Sequence, residues 1–453
     1  MTTPRQDLIA KIDKALGRRR LYWFGTRGAD GNSLSDVPQF SGSFTIIDKY
    51  KWPLEWNECW ENHPEGYRVD LDNWEIDDNK ELAPSRDLRS AMLAAMSYDN
   101  ALVPYRPCEF LSDLTFVRHD TTWYLGLFSG HQRAFEHKPW VETAVSQLGI
   151  GWLEWKYLSR KDWREAEDML RRGSIVVRPA RGSGGYGMHR VDDLEQLAEF
   201  CPPTDDTYTT VSRFRSDALP LNVGGVVWDD GVTVHFPSIQ LIGIPSCTSR
   251  EFGYCGNDFG LLGRLDQTMV DELERTMLIL GNWMRNQGYR GAFGGDFLLN
   301  EEGLLFTEIN PRFQGSTRVS SNMSVLRDEP CVLLDHVAAM LHLPCPTRPP
   351  LRDVVLDGAL AHVVIHNPAG KRATAEADEI FAEVGPLLKE PVAAVKLSAS
   401  VAVEPDATIM SLHCQSPLTI NGYQLVSPAI QDAIRVATDQ YLKPVPESED
   451  AVA

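Results

Sequence analysis

The stretch SIVVRPARGSGGYGMHRV, Ser174 to Val191, sets a β-branched strand before a glycine run, with Gly182, Gly184 and Gly187 in G-x-G-x-x-G spacing. A dinucleotide-binding turn needs a helix directly after the glycines, so that its N-terminus meets the pyrophosphate. Here the short alternating segment MHRV follows instead. The helix DDLEQLAEF begins only after it, with Asp192 or Asp193 as N-cap. The order is therefore strand, glycine loop, strand. A hairpin tip stripped of side chains can lie over phosphates with its backbone N–H groups turned toward them. Arg178, ending the incoming strand, adds a fixed positive charge beside the same oxygens. On these residues alone, a flexible surface hairpin with an incidental arginine is the competing reading.

A second stretch separates the two. GDFLLNEEGLLFTEINPR reads as a hairpin turning at NEEG, with Asp296 on one strand and Glu308 and Asn310 on the other. Residues two apart on a strand share a face, and Asp296 on the neighbouring strand can join them. Two carboxylates and an amide oxygen make a hard, all-oxygen set suited to Mg²⁺ that also holds phosphates. Arg312, two further on, extends that face with a bidentate donor for a phosphoryl group in transfer.

At 453 residues the chain calls for two to four domains. Its formal net charge of -19 disfavours nucleic acid and anionic membrane as partners, without excluding a local basic pocket. The eight cysteines form no C-x-x-C pair, which reads as reduced, mostly structural thiols. The N-terminal MTTPRQDLIAKIDKALGRRR is a polar amphipathic helix rather than a signal peptide, and no apolar run reaches 18 residues. The expectation is a cytoplasmic protein with disorder confined to its ends.

The two stretches, IVVRPARGSGGYGMHRV and GGDFLLNEEGLLFTEINPRFQGST, together resemble the ATP-grasp superfamily, over roughly Phe135 to Thr317. That family includes biotin carboxylase, D-alanine–D-alanine ligase and many peptide ligases. The resemblance implies an α+β ATP-grasp fold, two α+β subdomains clasping ATP. Residues 1–130 would form an N-terminal α/β pre-ATP-grasp domain and 131–215 the subdomain with the glycine flap. Residues 216–345 would form the subdomain with the metal site, and 346–453 a small C-terminal α/β module with a disordered tail. Lys138, before a helix, takes the place of the family's first phosphate-contacting lysine. Arg178 stands where a second lysine is usual, and Gly182, Ser183, Gly184 and Gly185 form the flap. Ser212 and Phe214, in VSRF, match the linker that holds adenine. The acidic residue often found there is absent, which leaves Asn222 or Asp217 for the ribose. Asp296, Glu308 and Asn310 would hold one or two Mg²⁺, with Mn²⁺ an acceptable substitute, and Arg312 would steady the transferred phosphate.

The implied chemistry is attack of a carboxylate on the γ-phosphate of ATP, then displacement of phosphate by an amine. The sequence shows no covalent nucleophile motif of the G-x-S-x-G kind, and none is required. The expected activity is a carboxylate–amine ligase releasing ADP and phosphate. Amino-acid or small-peptide substrates would place it in peptide-bond formation in specialised metabolism, such as antibiotic biosynthesis. Dimers are common among the proteins it resembles. An ATP-grasp kinase, a carboxylase component and a lapsed nucleotide-binding protein are the alternatives. Arg250 is the first candidate for a substrate carboxylate, with Gln240, Tyr254 and Asn257 beside it in sequence. Gln314, Ser316 and Thr317 follow the metal strand, and Arg27 lies in a loop after a strand, where it either meets ligand or pairs with Asp30. His362 and His366 sit in a strand-like segment without an acidic partner and read as structural. Trp52, Trp56, Trp60 and Trp74 read as core packing.

Overall fold

The strand, glycine loop, strand order is present in the computed structural model, which describes residues 2–47, 56–59, 83–96, 98–117, 120–200, 208–354, 360–388, 393–396, 402–420 and 426–445. Of the tryptophan group, Trp52, Trp60, Trp74 and the side chain of Trp56 lie outside the described set. So do Cys201 and the side chain of Cys59, whereas the six described cysteines are free thiols.

The N-terminal helix Pro4–Leu16 is opened by a capping box, Thr3 with Gln6, and buries Leu8, Ile12 and Leu16. It leads into a parallel sheet of β1 (Arg20–Arg27), β2 (Phe40–Ile47), β3 (Trp56–Cys59), β4 (Asn100–Pro104) and β5 (Thr122–Tyr124), in the order β3-β2-β1-β4-β5. Strand order reverses between β1 and β4, and the crevice beyond their C-terminal ends is where ligands gather in such sheets. Trp23 of β1 anchors this crevice to the rest of the chain. Its ring packs 5.7 Å from Phe313, and its Nε1 donates to the Arg27 carbonyl at 3.1 Å.

An antiparallel sheet follows, made of β6 (Trp155–Ser159), β7 (Ile175–Pro179), β8 (His189–Val191) and β9 (Tyr208–Arg213) in the order β6-β9-β7-β8. β7 and β8 are the two arms of the glycine hairpin, and Leu158, Ile175, Val177, Val191 and Val211 bury one face of the sheet. The larger antiparallel sheet is built on β10 (Leu219–Val227), β11 (Val232–Ile242), β12 (Tyr254–Asp258), β13 (Gly291–Asn300) and β14 (Gly303–Asn310). The helix Gln267–Asn286, N-capped by Asp266, lies over it with Leu273, Met277, Leu280 and Met284 inward.

Residues beyond 345, expected as a separate module, add β15 (Ala361–His366), β17 (Ala393–Lys396) and β19 (Thr408–Cys414) to this same sheet. Its order among the described residues is β14-β13-β10-β11-β12-β15-β19-β17. A small sheet of β16 (Ala373–Ala375), β18 (Ala402–Val403) and β20 (Leu442–Pro444) stands beside it. Asp258 at the end of β12 fastens the C-terminal part, accepting from the Leu418 and Thr419 N–H groups at 2.9 and 2.8 Å.

Asp335, fully buried, holds together the helix Val332–Met340, β11 and the segment that follows. It accepts from Arg348 at 2.6 Å and Thr233 at 3.0 Å, and its other close partner is His235 at 3.0 Å. Removing one member of such a network strands the others without solvent. Asp335→Ala should therefore lower unfolding stability by about 3–5 kcal/mol, read as a reduced urea midpoint. An unchanged midpoint would show that the network contributes nothing.

Candidate functional site

One cavity of about 550 Å³ lies where the three main sheets converge, and the glycine hairpin forms part of its wall. On the hairpin side, Gly184, Gly185 and Gly187 all have positive φ, which glycine adopts without strain. Gly185 is also confined from outside: a Cβ there would stand 2.0 Å from the Phe252 carbonyl oxygen. The loop is therefore seated directly on the β11–β12 connection. Arg250 of that connection latches it, donating to the Gly184 carbonyl at 2.7 Å and stacking 3.8 Å from the centre of the Tyr186 ring.

Opposite the loop, β13 and β14 bring Asp296 and Glu308 together as cross-strand partners, with Asn310 opposite Gly294. The ladder shifts register after Asp296, so that Phe297 pairs with Phe306 and Thr307 is the bulged residue. That bulge offers its carbonyl to Arg178 at 3.2 Å. Lys138 heads the helix Lys138–Val145, with Nζ 3.2 Å from Glu308 Oε2 and 3.3 Å from the Gly182 carbonyl. One cation thus bridges the carboxylate strand and the flap. Arg178 is 5% exposed and forms an ion pair with Glu142, a residue whose role was not legible in sequence. Burial pushes the Glu142 carboxyl up while Arg178 pulls it down, and Tyr157 donates to its other oxygen.

Val176, Met188, Phe214, Phe252 and Leu298 give the cavity an apolar share of its lining. Ser212 also lines the cavity, near β7, against which β9 pairs. That apolar lining suits a flat heterocycle.

Residues 158–316 match the family of ATP-grasp domains. The chain carries an ATP-grasp domain. A curated relative, the formate-dependent phosphoribosylglycinamide formyltransferase of Synechococcus sp. (strain WH7803), is 23% identical over 245 residues, 51% of this chain and 56% of that one. The match therefore spans little more than half of the relative's length. Among solved structures, biotin carboxylase from Campylobacter jejuni superposes with a TM-score of 0.58 at 13% identity, covering 96% of this chain and 94% of that one. Carboxyaminoimidazole ribonucleotide synthase from Aspergillus clavatus, complexed with ATP, gives 0.59 at 13% identity over 94% and 99%. The fold is thus the α+β ATP-grasp fold.

Within the ATP-grasp cavity, three expectations change. Arg250 does not line it but holds the flap, because the β11–β12 connection turns its side chain onto Gly184 and Tyr186. Asn222 lines the cavity but is committed at both ends, donating to Asp296 at 2.6 Å and accepting from Ser316 at 2.8 Å, and so is not available to a ribose. Asp217 is exposed and accepts from Asn300 at 3.2 Å, outside the lining. Arg312 does line the cavity, although not by strand periodicity: β14 ends at Asn310, because Pro311 has no N–H for the ladder. Arg312 instead donates to the Phe313 carbonyl at 3.1 Å and to Asn310 Oδ1 at 3.4 Å. Gln240, Tyr254, Asn257, Gln314, Ser316 and Arg27 line the same cavity, and Thr317 accepts from the Gln314 N–H at 2.8 Å. His366 is structural, bonded to the Tyr254 carbonyl at 2.7 Å, whereas His362 reaches the cavity.

Asp296 and Glu308 meet as a cross-strand pair of carboxylates. Burial and the Glu308 charge push the Asp296 carboxyl up to about 6, against the amides of Asn222, Asn310 and Gln240, which pull it down. A divalent cation would relieve that repulsion, and with so few carboxylates its remaining ligands would come from phosphates and water. The folded value lies above the ordinary 3.8, so protonation of Asp296 favours the fold at low pH, and this contribution is lost as pH rises through about 6. Mg²⁺ should therefore raise the melting temperature clearly at about pH 7.5 and little at about pH 5. Equal shifts at both would contradict a cation held by Asp296.

Proposed function

We propose that this protein is an ATP-dependent carboxylate–amine ligase that works through an acyl-phosphate and releases ADP and phosphate. The observation that carries the reading is the Asp296–Glu308 pair facing Lys138, Arg178 and the glycine loop across one cavity. Such chemistry requires positioning and charge neutralisation more than covalent help.

The adenine lies against Val176, Met188, Phe214 and Phe252, and Glu251 is a lining carboxylate that can meet the ribose. Gly182, Ser183, Gly184 and Gly185 cover the phosphates, with Lys138 and Arg178 beside the transferring oxygens. Asp296, Glu308 and Asn310 would hold Mg²⁺, which would supply positive charge to offset that of the phosphates. A carboxylate oxygen of the acid attacks the γ-phosphorus and the bond to ADP breaks. The amine then attacks the acyl carbon, phosphate leaves, and the nitrogen loses a proton. Arg312 steadies the phosphoryl group throughout. The likeness to a formate-dependent enzyme supports a carboxylate as the activated group. Amino acids or small peptides are the acid and amine we propose, with divisions of the chain near residues 130 and 215.

A second reading, a carboxylase component consuming bicarbonate, draws on the near full-length likeness to biotin carboxylase. One experiment separates the two. The protein is incubated with ATP, Mg²⁺ and pooled acids and amines, with and without bicarbonate, and products are identified by mass spectrometry. ADP with a new mass equal to acid plus amine minus water supports the ligase. AMP, or ADP with only a phosphorylated compound, refutes it, and strict bicarbonate dependence favours the carboxylase.

A further inference from the structure

The strand-end crevice of the parallel sheet meets β15 and β19 across the cavity, and two histidines from those strands face it. His362 is 2% exposed, with Nε2 2.9 Å from Tyr254 Oη, while its buried Nδ1 has no partner. His413 lies 5.3 Å away ring to ring, with Nε2 3.0 Å from Ser411 Oγ and its Nδ1 likewise buried and without a partner. A buried polar atom left unbonded costs about 1–3 kcal/mol, and two in one cavity wall are a mark of a ligand site.

The charge around the rings says which ligand. Arg27, ending β1, and Arg318, after the metal strand, both act on His362 and His413 and, with burial, press each imidazole toward its neutral form. The same two arginines act on Asp30, the carboxylate at this end of the cavity, which burial pushes up. The wall therefore carries more cationic than anionic groups, next to rings that can donate or accept according to tautomer. It also adjoins the chemistry. The turn after Arg312 passes Tyr254 so closely that a Cβ on Gly315 would stand 2.9 Å from the Tyr254 hydroxyl, and that hydroxyl bonds His362.

We infer that Arg27, Arg318, His362 and His413 form the acceptor subsite, and that the amine it takes carries a free carboxylate of its own. This rests on the ligase reading and adds to it a required group and the residues that read it. The arginines pair with that carboxylate, the ring nitrogens gain the partners they lack, and the amine is left near Arg312, where the acyl carbon is exposed to attack.

The test uses the full chain with matched acceptors, L-amino acids and dipeptides against their C-terminal amides. Free acids should be used at least about 10-fold more efficiently than the amides, the worth of a charge-assisted contact. Arg318→Met should raise KM for the free acid by about 10-fold or more, with kcat within about threefold and KM for ATP unmoved. His413→Phe keeps a ring in place and should raise the same KM. Equal use of acids and amides, or an unchanged KM in Arg318→Met, overturns the subsite. If no amide forms with any pair, the ligase reading fails and the subsite is judged by thermal shift with a non-hydrolysable ATP analogue and Mg²⁺. Stabilisation by the free acids only, lost in Arg318→Met, upholds it. Stabilisation by both sets or by neither overturns it.

Discussion

Glu308→Gln is expected to lower turnover by at least about 10³-fold while the protein still folds. The substitution keeps the shape of the side chain and changes its charge. Glu308 is the cross-strand partner of Asp296 and stands 3.2 Å from Lys138, so the loss acts on two contacts at once. A cation held by one carboxylate instead of two binds phosphates less firmly, and Lys138 loses the anion that orients it. Its side chain is 21% exposed, so no core packing goes with it. An unchanged circular dichroism spectrum with residual activity below about one part in 10³ would agree. Turnover near that of the unaltered protein would show that Glu308 holds no cation that turnover needs.

The second large effect is expected at a residue outside the cavity lining. Arg250→Ala removes the hydrogen bond to the Gly184 carbonyl and the stacking on Tyr186. Together these hold the flap down by about 2 kcal/mol, or roughly 30-fold in affinity. KM for ATP should rise by that order. Arg250→Lys, which keeps the charge but not the planar fork, should recover only part of it. The latch has its own support, since Asp406 before β19 accepts from the Ser249 N–H at 3.0 Å and Thr248 Oγ1 at 3.2 Å. The flap is thus tied, through one loop, to the C-terminal strands. A KM for ATP that does not move would show that the flap closes without Arg250.

The local features were legible in the chain. The glycine hairpin, the carboxylate hairpin and the strand character of His362 to His366 each follow from short-range pattern. What escaped depends on residues that the fold brings from far away. Glu142 meets Arg178 only because the fold brings the helix Lys138–Val145 to the end of β7, and Asn222 meets Asp296 because β10 pairs with β13. The direction of Arg250 is set by where Gly184 comes to rest. His413 gave no signal at all, because its meaning comes from His362 on the neighbouring strand and from Arg27 and Arg318 beyond it. The bulge at Thr307 was equally hidden, since period-2 reasoning assumes an unbroken ladder. The division near residue 345 relied on a change in pattern, whereas β15 and β19 simply continue the sheet across it.

Activation of a carboxylate by phosphorylation is tested most directly by isotope transfer. An acid substrate labelled with ¹⁸O in its carboxylate is turned over with ATP, Mg²⁺ and the amine, and the phosphate released is examined by mass spectrometry. The acyl-phosphate route leaves one labelled oxygen in the inorganic phosphate and none in ADP. Label in AMP, or no label in any phosphorus-containing product, would contradict the account.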